Sequence, residues 1–434
     1  MEKRPVILYN KATARTLPRG LPCDCFGRCA PPAGYKEAPM NHLRKAAALA
    51  AAGALCLFAA CGSLSLTPAA PTASPEPGTS AAQPARGGTL RLWLDEGLAE
   101  VHTAFDAYGQ ARGVTIETVD TPAGADLALL AAPPADGQGW QEPENLTLLP
   151  DLLAAQNLTT QNDAVPLGGA AWGYWAEKST LTALLGSEFD LEDLRQASWK
   201  EWTAFAAAVE DWLAQPSARR LTLNGKAVTL PESRPAQLEG LSGVFAPAGA
   251  EGDTALYSPA AAAGGSLSQA AGAVYDLLEL EAAHTAPGQG TGAVAGGTAL
   301  FARAGSVQAA QLADPVLLPC KMPLTAANDT PTTQQLLAWP TAGTGAWATI
   351  PTNGDAAQGE AALLWLYTSA AGRSALSAAG LAPITGAGTG AGGLAAERIT
   401  SGECLAAAAV PEAAREALRT RPETKAAFAA AFAG

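Results

Sequence analysis

The side chains of this 434-residue chain that could carry catalysis show no spacing typical of an enzyme motif. His42, His102 and His284 are the only histidines, and none has a partner at a catalytic or metal-binding spacing. The serines within residues 264–268 (GGSLS) follow glycines but lack the spacing of a nucleophile elbow. These residues therefore predict no enzymatic activity. A glycan-active hydrolase could still assemble its site from carboxylates that are distant in sequence.

The cysteines offer two further kinds of chemistry. Cys23, Cys25 and Cys29 could bind a metal ion, but they lack a second ligand pair at zinc spacing, so no metal site is predicted. Cys320 and Cys404 could form a disulfide, yet residues far apart in sequence need not be neighbours in space. The sequence leaves that pairing open.

The N-terminal segment has the layout of an export signal. Residues 40–60 begin with basic residues and continue as an Ala/Leu-rich run that is too short to span a bilayer comfortably. The run ends in Cys61, and residues 57–62 (LFAACG) resemble the lipobox of bacterial lipoproteins, although Phe58 stands where that motif usually has Leu. The resemblance implies that Cys61 is acylated and anchors the chain; an ordinary signal peptide cut near Ala60 and an uncleaved anchor are the alternatives.

The segments on either side of this signal are predicted to lie outside the folded body. Residues 1–39 fit no export signal, so we interpret them as a non-native upstream extension ahead of a start at Met40. Residues 61–88 are rich in Ser, Thr, Pro and Ala and predict a flexible tether.

The charge of the chain excludes one class of partner. Residues 1–60 hold nine of the 27 Lys and Arg but only three of the 40 Asp and Glu, so the remainder is strongly acidic. An acidic body without a basic stripe repels nucleic acid, and no nucleic-acid partner is expected.

The pattern of the exported part predicts an α/β fold. Residues 89–94 (TLRLWL) alternate like a strand, residues 98–111 have helical spacing, and residues 114–119 and 126–130 indicate two more buried strands. Such a β-α-β opening favours a sheet with helices on its faces. The chain is also longer than one compact core usually supports, so two lobes are expected.

Local signals place several further elements. Ser198 and Glu201 predict a capping box at the start of a helix, and Asn224-Gly225 predicts a tight hairpin within residues 221–230. Other expected elements are a helix over residues 267–282, a strand over residues 347–350, and helices over residues 356–369 and 372–379. Little else is predicted between residues 233 and 297.

Four segments, in order, resemble the extracellular solute-binding proteins of bacterial ABC importers, which include maltose- and oligosaccharide-binding proteins. They are residues 89–94 with the following helix, residues 165–178 (VPLGGAAWGYWAEK), residues 198–205 (SWKEWTAF), and residues 347–351, 361–376 and 380–383 (WATIP, AALLWLYTSAAGRSAL and GLAP). The match is poor between residues 233 and 297.

This resemblance implies a two-lobed, type II periplasmic-binding-protein-like fold with an interlobe cleft and crossing hinge strands. Lobe 1 would hold residues 89–170 and 340–385, lobe 2 residues 171–339 and 386–434, and the C-terminal helices would be shared. The chain would leave lobe 1 near residues 165–175 and return near Trp347. A solute that contacts both lobes would favour the closed form that the permease recognises.

The resemblance also indicates binding residues. Trp172, Tyr174 and Trp175 would lie at the hinge, and Trp339 precedes the Gly-rich residues 341–345, which we expect to form a loop. Flat aromatic rings pack against the apolar face of a sugar, so these four are candidate platforms, with core packing as the alternative.

Two carboxylates complete the candidate site. Asp95 and Glu96 directly follow the first strand, where open α/β sheets bind ligands. They could equally be acidic residues that stabilise a helix start.

The sequence therefore predicts a monomeric lipoprotein on the outer face of the cell membrane. It would capture a small solute, most simply a carbohydrate, for an ABC permease, without a cofactor and without catalysis. A glycan-active hydrolase and a scaffold or adhesion lipoprotein are the alternatives.

Overall fold

The computed structural model describes residues 87–135, 139–156, 159–327 and 331–434. The predicted upstream extension, the predicted signal segment 40–60, the predicted acylation site Cys61, and nearly all of the predicted tether lie outside these residues. Within them, no helix combines the length and the apolar character that crossing a bilayer requires.

The described residues form a mixed α/β structure. Its strands are β1 Thr89–Leu94, β2 Thr115–Thr118, β3 Leu127–Leu130, β4 Val165–Glu177, β5 Arg219–Leu223, β6 Lys226–Leu230, β7 Gly243–Ala246, β8 Ala299–Gly305, β9 Pro315–Leu318, β10 Thr341–Thr349 and β11 Leu405–Ala406. Its helices are α1 His102–Arg112, α2 Leu149–Gln156, α3 Lys178–Leu185, α4 Leu191–Gln196, α5 Trp199–Ala214, α6 Asp253–Ala262, α7 Leu267–Ala283, α8 Gly290–Ala295, α9 Thr333–Ala338, α10 Ala356–Thr368, α11 Ala370–Ala378, α12 Gly390–Ser401, α13 Glu412–Thr420 and α14 Lys425–Phe432.

One nine-stranded sheet runs through the molecule, in the order β2-β1-β3-β10-β4-β8-β7, with β11 paired to β10 and β9 paired to β4. Strands β1, β2 and β3 are parallel, as the β-α-β pattern predicts. Strand β10 is antiparallel to β3 and β4, and β4 is antiparallel to β8 and β9. The β5–β6 hairpin stands apart from this sheet.

Strands β4 and β10 belong to two halves of the sheet at once. The end of β10 pairs with β3, where Trp347 faces Leu130, and its length pairs with the first part of β4. Beyond Trp172, β4 instead pairs with β8 on one edge and β9 on the other. These two strands therefore cross between the halves, as the resemblance to solute-binding proteins implied for the hinge.

Each half has its own apolar core. Lobe 1 is built from β1–β3, α1, α2, α10 and α11, and its core includes Phe105, Tyr108 and Trp365. Lobe 2 is built from α3–α9, β5–β9, α13 and α14, and its largest buried rings include Trp202 and Phe301. A third, Ala-rich cluster lies between α8, α12 and the strands of lobe 2. The exact residues at which the sequence divides the lobes remain a prediction.

The strongest local signals of the sequence are confirmed. Ser198 accepts a hydrogen bond from the Glu201 backbone, and the Glu201 side chain accepts one from the Ser198 backbone, which completes the predicted capping box of α5. Asn224 and Gly225 have φ angles of 50° and 73° and connect β5 to β6.

The glycine-rich residues 341–345 were expected to form a loop, and that expectation is wrong. They are the first part of β10 and pair with β4. Glycine is needed there because neighbouring chain segments come very close: a Cβ on Gly345 would fall 3.0 Å from the Ala170 nitrogen. Only tertiary contact explains this use of glycine.

Cys320 is a free, buried thiol, so the pairing with Cys404 that the sequence left open does not form.

The next residue, Lys321, is fully buried and donates hydrogen bonds to the backbone oxygens of Arg195 and Leu337. Burial, reinforced by the nearby Arg195 guanidinium, lowers the pKa of Lys321 to about 7.

The buried Lys321 predicts a pH dependence of stability. Its folded-state pKa of about 7 lies below its ordinary value of 10.5, so between pH 7 and 9 the unfolded state binds more protons and stability rises with pH. We expect the free energy of unfolding to increase by about 2 kcal/mol over this window. Urea titrations at several pH values measure it. Lys321→Met should flatten the rise, whereas the exposed-site control Lys425→Met should keep it; an unchanged slope in Lys321→Met would contradict the assignment.

Candidate functional site

A cavity of about 720 Å³ lies where the two lobes meet the crossing strands. Lobe 1, the hinge and lobe 2 each contribute part of its lining. The lining residues are Asp95, Glu96, Gly97, Leu98, Ala99, Glu100 and Ala131 from lobe 1; Ala170, Trp172, Gly305, Val307, Gln308 and Gly345 from the hinge; and Gly249, Ala250, Glu251, Asp253, Thr254, Gln289, Val410 and Arg415 from the lobe 2 side.

The lobe 1 wall follows directly from the end of β1. The Asp95 backbone donates a hydrogen bond to Leu129 of β3, and its carboxylate accepts hydrogen bonds from the backbones of Glu96 and Ala131. Asp95 therefore joins the carboxyl ends of two parallel strands and shapes the turn into α1. Glu96, beside it, is exposed and lines the cavity, and its side chain has no partner among the described residues.

Trp172 forms part of the hinge wall. It sits on β4 at the position where the strand leaves β10 and joins β8, and its side chain is half-buried. A Cβ on Gly305 would fall 2.9 Å from the Trp172 Nε1 atom, so glycine at that position lets the indole lie across the end of β8. Trp172 is thus an aromatic surface at the junction of both lobes.

The other three candidate aromatics do not line this cavity. Tyr174 and Trp175 are 1% and 0% exposed, because both edges and both faces of that part of β4 are covered. The Tyr174 hydroxyl donates to Glu281 within the lobe 2 core, and the Trp175 indole donates to the Ala304 carbonyl. Trp339 is half-buried against the same core, away from the cavity. Their placement supports the packing alternative.

The lobe 2 wall carries two carboxylates that the sequence did not single out. Glu251 and Asp253 stand at the start of α6, in the Ala/Gly-rich stretch where few elements were predicted. The Asp253 side chain is only 14% exposed, and burial raises its pKa to about 6, opposed by Arg303 and Arg415 and reinforced by Glu251. No spacing in the sequence marks these residues as part of a site.

A buried ion pair lies directly behind this wall. Arg303 of β8 makes two hydrogen bonds to the Glu281 carboxylate, at 3.0 and 3.2 Å, and Tyr174 donates to the same group. Burial disfavours the charged form of Arg303. The adjacent Glu281 carboxylate nevertheless holds the pKa of Arg303 above its ordinary value. The nearest oxygen of Asp253 is 3.9 Å from Arg303, so Glu281 takes most of this positive charge.

One hydrogen bond connects the hinge to the lobe 1 wall. The Gln308 side-chain amide, in the 3-10 helix Gln308–Gln311 that follows β8, donates to the Gly97 carbonyl at 2.7 Å. Both residues line the cavity, so this bond links its hinge lining to its lobe 1 lining. No group of three or more His, Cys, Asp or Glu side chains within the described ranges is arranged to hold a metal ion.

Comparisons with known proteins agree with this architecture. No protein-family profile matches the chain, and no curated protein sequence matches it significantly. Among solved structures it is similar to the solute-binding protein RafE in complex with raffinose, at 13% identity and a TM-score of 0.51, with 80% of this chain and 97% of that chain covered.

Two further structures match at lower scores. One is BlMnBP1, a binding protein of an ABC transporter from Bifidobacterium animalis subsp. lactis in complex with mannobiose, at 10% identity and a TM-score of 0.48, covering 80% of this chain and 92% of that one. The other is a periplasmic oligogalacturonide-binding protein from Yersinia enterocolitica, at 14% identity and a TM-score of 0.41, covering 73% and 82%.

The predicted fold class is confirmed by the crossing strands, the separate cores and the RafE likeness. The chain has the two-lobed α/β fold of the solute-binding protein RafE.

Proposed function

We propose that this protein is the solute receptor of a bacterial ABC importer and that it captures a small carbohydrate in the interlobe cavity. The observation that carries the proposal is that this cavity draws its lining from both lobes and from the strands that join them. The raffinose bound by RafE, which shares the fold, supports a saccharide as the ligand. A fold alone does not define a ligand, so the site must be tested directly.

The geometry suits a binding mechanism based on domain closure. Residues 95–100 and residues 249–254 stand on opposite sides of the cavity and belong to different lobes. A ligand that contacts both gains interactions that exist only when the lobes are close, so it shifts the population toward the closed form. The permease would distinguish loaded from empty receptor by that form.

The location and the partners follow as parts of the same proposal. Acylation of Cys61 would hold the chain on the outer face of the cell membrane, and residues 61–88 would tether the folded body to it. The receptor would act as a monomer with a permease, without catalysis and without nucleic acid. A glycan-active hydrolase and a scaffold lipoprotein are the outcomes that would replace this assignment.

Within the cavity, Trp172 is proposed as the platform for a sugar ring. Asp95 is proposed mainly to hold the wall in shape, because its carboxylate already accepts two backbone hydrogen bonds. Glu96 is proposed to contact ligand hydroxyls from lobe 1. Tyr174, Trp175 and Trp339 are not included.

A panel of saccharides tests the proposal. The purified chain should show a higher melting temperature with at least one saccharide, because a ligand that binds only the folded state stabilises it. Turnover of a glycan without stabilisation would favour the hydrolase, and no response to any saccharide would favour the scaffold.

Two tryptophan variants locate the site. Trp172→Ala should weaken binding of that saccharide about 30-fold, since a central aromatic contact commonly contributes 2 kcal/mol or more. Trp339→Ala is the matched control: that ring is also half-buried against the lobe 2 core but lies away from the cavity, so affinity should change less than about 2-fold. Calorimetric titration measures both. Equal losses in the two variants would contradict the location of the site.

A further inference from the structure

The cavity is strongly acidic. Five of its lining residues carry carboxylates and one carries a guanidinium. The carboxylates come from both walls, with Asp95, Glu96 and Glu100 on lobe 1 and Glu251 and Asp253 on lobe 2. A ligand enclosed by both walls therefore meets negative potential from two sides.

Three of these five carboxylates have no hydrogen-bond or ion-pair partner among the residues that the structure describes. Asp95 is engaged by backbone amides, but the side chains of Glu96, Glu100 and Glu251 accept no hydrogen bond from any described residue. The one guanidinium, that of Arg415, is exposed on α13 and likewise makes no ion pair within the described part of the chain. The carboxylates are consequently available to a ligand.

Among these carboxylates, Asp253 gives the clearest indication of the charge of the ligand. It is largely buried, and the buried cation behind it, Arg303, is already neutralised by two hydrogen bonds to Glu281. Arg303 is therefore only a distant partner for Asp253, with 3.9 Å between the nearest atoms, and the raised pKa of Asp253 reflects its burial. A positive group on a ligand would supply a closer partner.

The rest of the lining indicates what kind of cation fits. The described residues offer no cluster suited to a metal ion, whereas the cavity of about 720 Å³ accommodates an organic molecule. Gln289, Gln308 and Thr254 provide neutral groups for hydroxyls, and Trp172 provides an aromatic face for a sugar ring or an ammonium.

We propose that the solute is a cationic saccharide, an amino sugar with a free ammonium group, bound with that group toward Glu251 and Asp253 and with its ring against Trp172. This inference rests on the proposed receptor function and narrows its ligand class. It also excludes uronic acid chains, whose carboxylates the cavity would repel.

Comparing sugars that differ only in the amine measures how much the ammonium group contributes to binding affinity. The probes are glucosamine, glucose and N-acetylglucosamine, together with the β-1,4-linked glucosamine disaccharide, cellobiose and diacetylchitobiose, titrated calorimetrically into the full chain. We expect the free amine of each set to bind at least 10-fold more tightly than its neutral counterparts, and this preference to shrink in about 1 M NaCl because salt screens the attraction.

The outcomes test the amino-sugar ligand separately from the proposed receptor function. Equal or tighter binding of the neutral sugars would overturn the ammonium assignment and leave the receptor function intact. No binding of any probe would overturn both.

Charge-removing variants provide a second test. Asp253→Asn and Glu251→Gln should each reduce the preference for the amine over its neutral counterparts to less than about 3-fold, through weaker binding of the amine. Asp253→Asn should melt at an equal or higher temperature than the parent without ligand, so a lost preference cannot be attributed to unfolding. Asp120→Asn and Glu232→Gln, exposed acids outside the cavity, are the matched controls and should keep the preference. A preference retained in both cavity variants would overturn the assignment.

Discussion

Replacing Glu281 by alanine is expected to lower the free energy of unfolding by about 3–5 kcal/mol, because it leaves a buried cation without its partner. Arg303 is 7% exposed at its side chain and depends on Glu281 for two hydrogen bonds. The Tyr174 hydroxyl loses its acceptor in the same variant. Urea denaturation followed by tryptophan fluorescence measures the loss.

The same helix supplies the control. Glu279, two residues earlier on α7, pairs with Arg421 in an exposed position, so Glu279→Ala should change stability by less than about 1 kcal/mol. The double variant Glu281→Leu with Arg303→Met should be more stable than Glu281→Ala alone, since it removes both charges. If Glu281→Ala and Glu279→Ala behave alike, Arg303 is not held as the structure indicates.

Gly380→Ala is expected to lower the free energy of unfolding by about 3 kcal/mol, through backbone strain and a steric clash together. Gly380 follows α11 with a φ of 82°, and a Cβ there would fall 2.7 Å from the Val307 Cα and even nearer to the Ser306 carbonyl oxygen. That backbone cannot yield freely, because Ser306 donates to Ala171 of β4.

Gly402→Ala separates the two causes. Gly402 ends α12 with a φ of 71°, but a Cβ there would meet no atom within 4 Å. It should therefore show only the strain of the left-handed backbone, about 1 kcal/mol. Gly380→Ala should also weaken ligand binding, because Val307 and Gln308 line the cavity. Equal destabilisation by the two variants would mean that the hinge accommodates the added methyl group.

The Glu281→Ala and Gly380→Ala substitutions both affect segments that support the walls of the cavity. Arg303 underlies the wall that carries Asp253, since a Cβ on Gly252 would meet Arg303 atoms at 2.7 and 3.0 Å. Gly380 packs against the segment that follows β8 and reaches the other wall through Gln308. The core of lobe 2 and the hinge thus hold the two sides of the site in place.

The elements that the sequence predicted are those whose signals are local. A capping box needs only Ser198 and Glu201, and a tight hairpin needs only Asn224 and Gly225, so both could be read without tertiary information. The crossing strand β4 was identified through its aromatic, glycine-rich composition and its resemblance to known receptors. Residues 233–297 gave few signals, because Ala and Gly show little contrast between buried and exposed positions.

The binding residues were harder to predict because type and spacing do not reveal direction. Trp172, Tyr174 and Trp175 lie within four consecutive positions of one strand, yet only Trp172 faces the cavity. The strand's partners change at that position, from β10 to β8 and β9, and the later rings become enclosed. That change of partner is a property of the assembled sheet.

The sequence by itself determined the α/β class, the principal helix starts and the hairpin, because each depends on contacts between near neighbours or on a continuous pattern, whereas the crossing segments were inferred from a resemblance to known receptors. Only the tertiary structure decided which acidic residues line the same cavity. Residues 95–100 and 249–254 are far apart along the chain and become neighbours because β4 and β10 carry the backbone between two separately packed cores. The charge of the cavity arises from that juxtaposition, which no local pattern encodes.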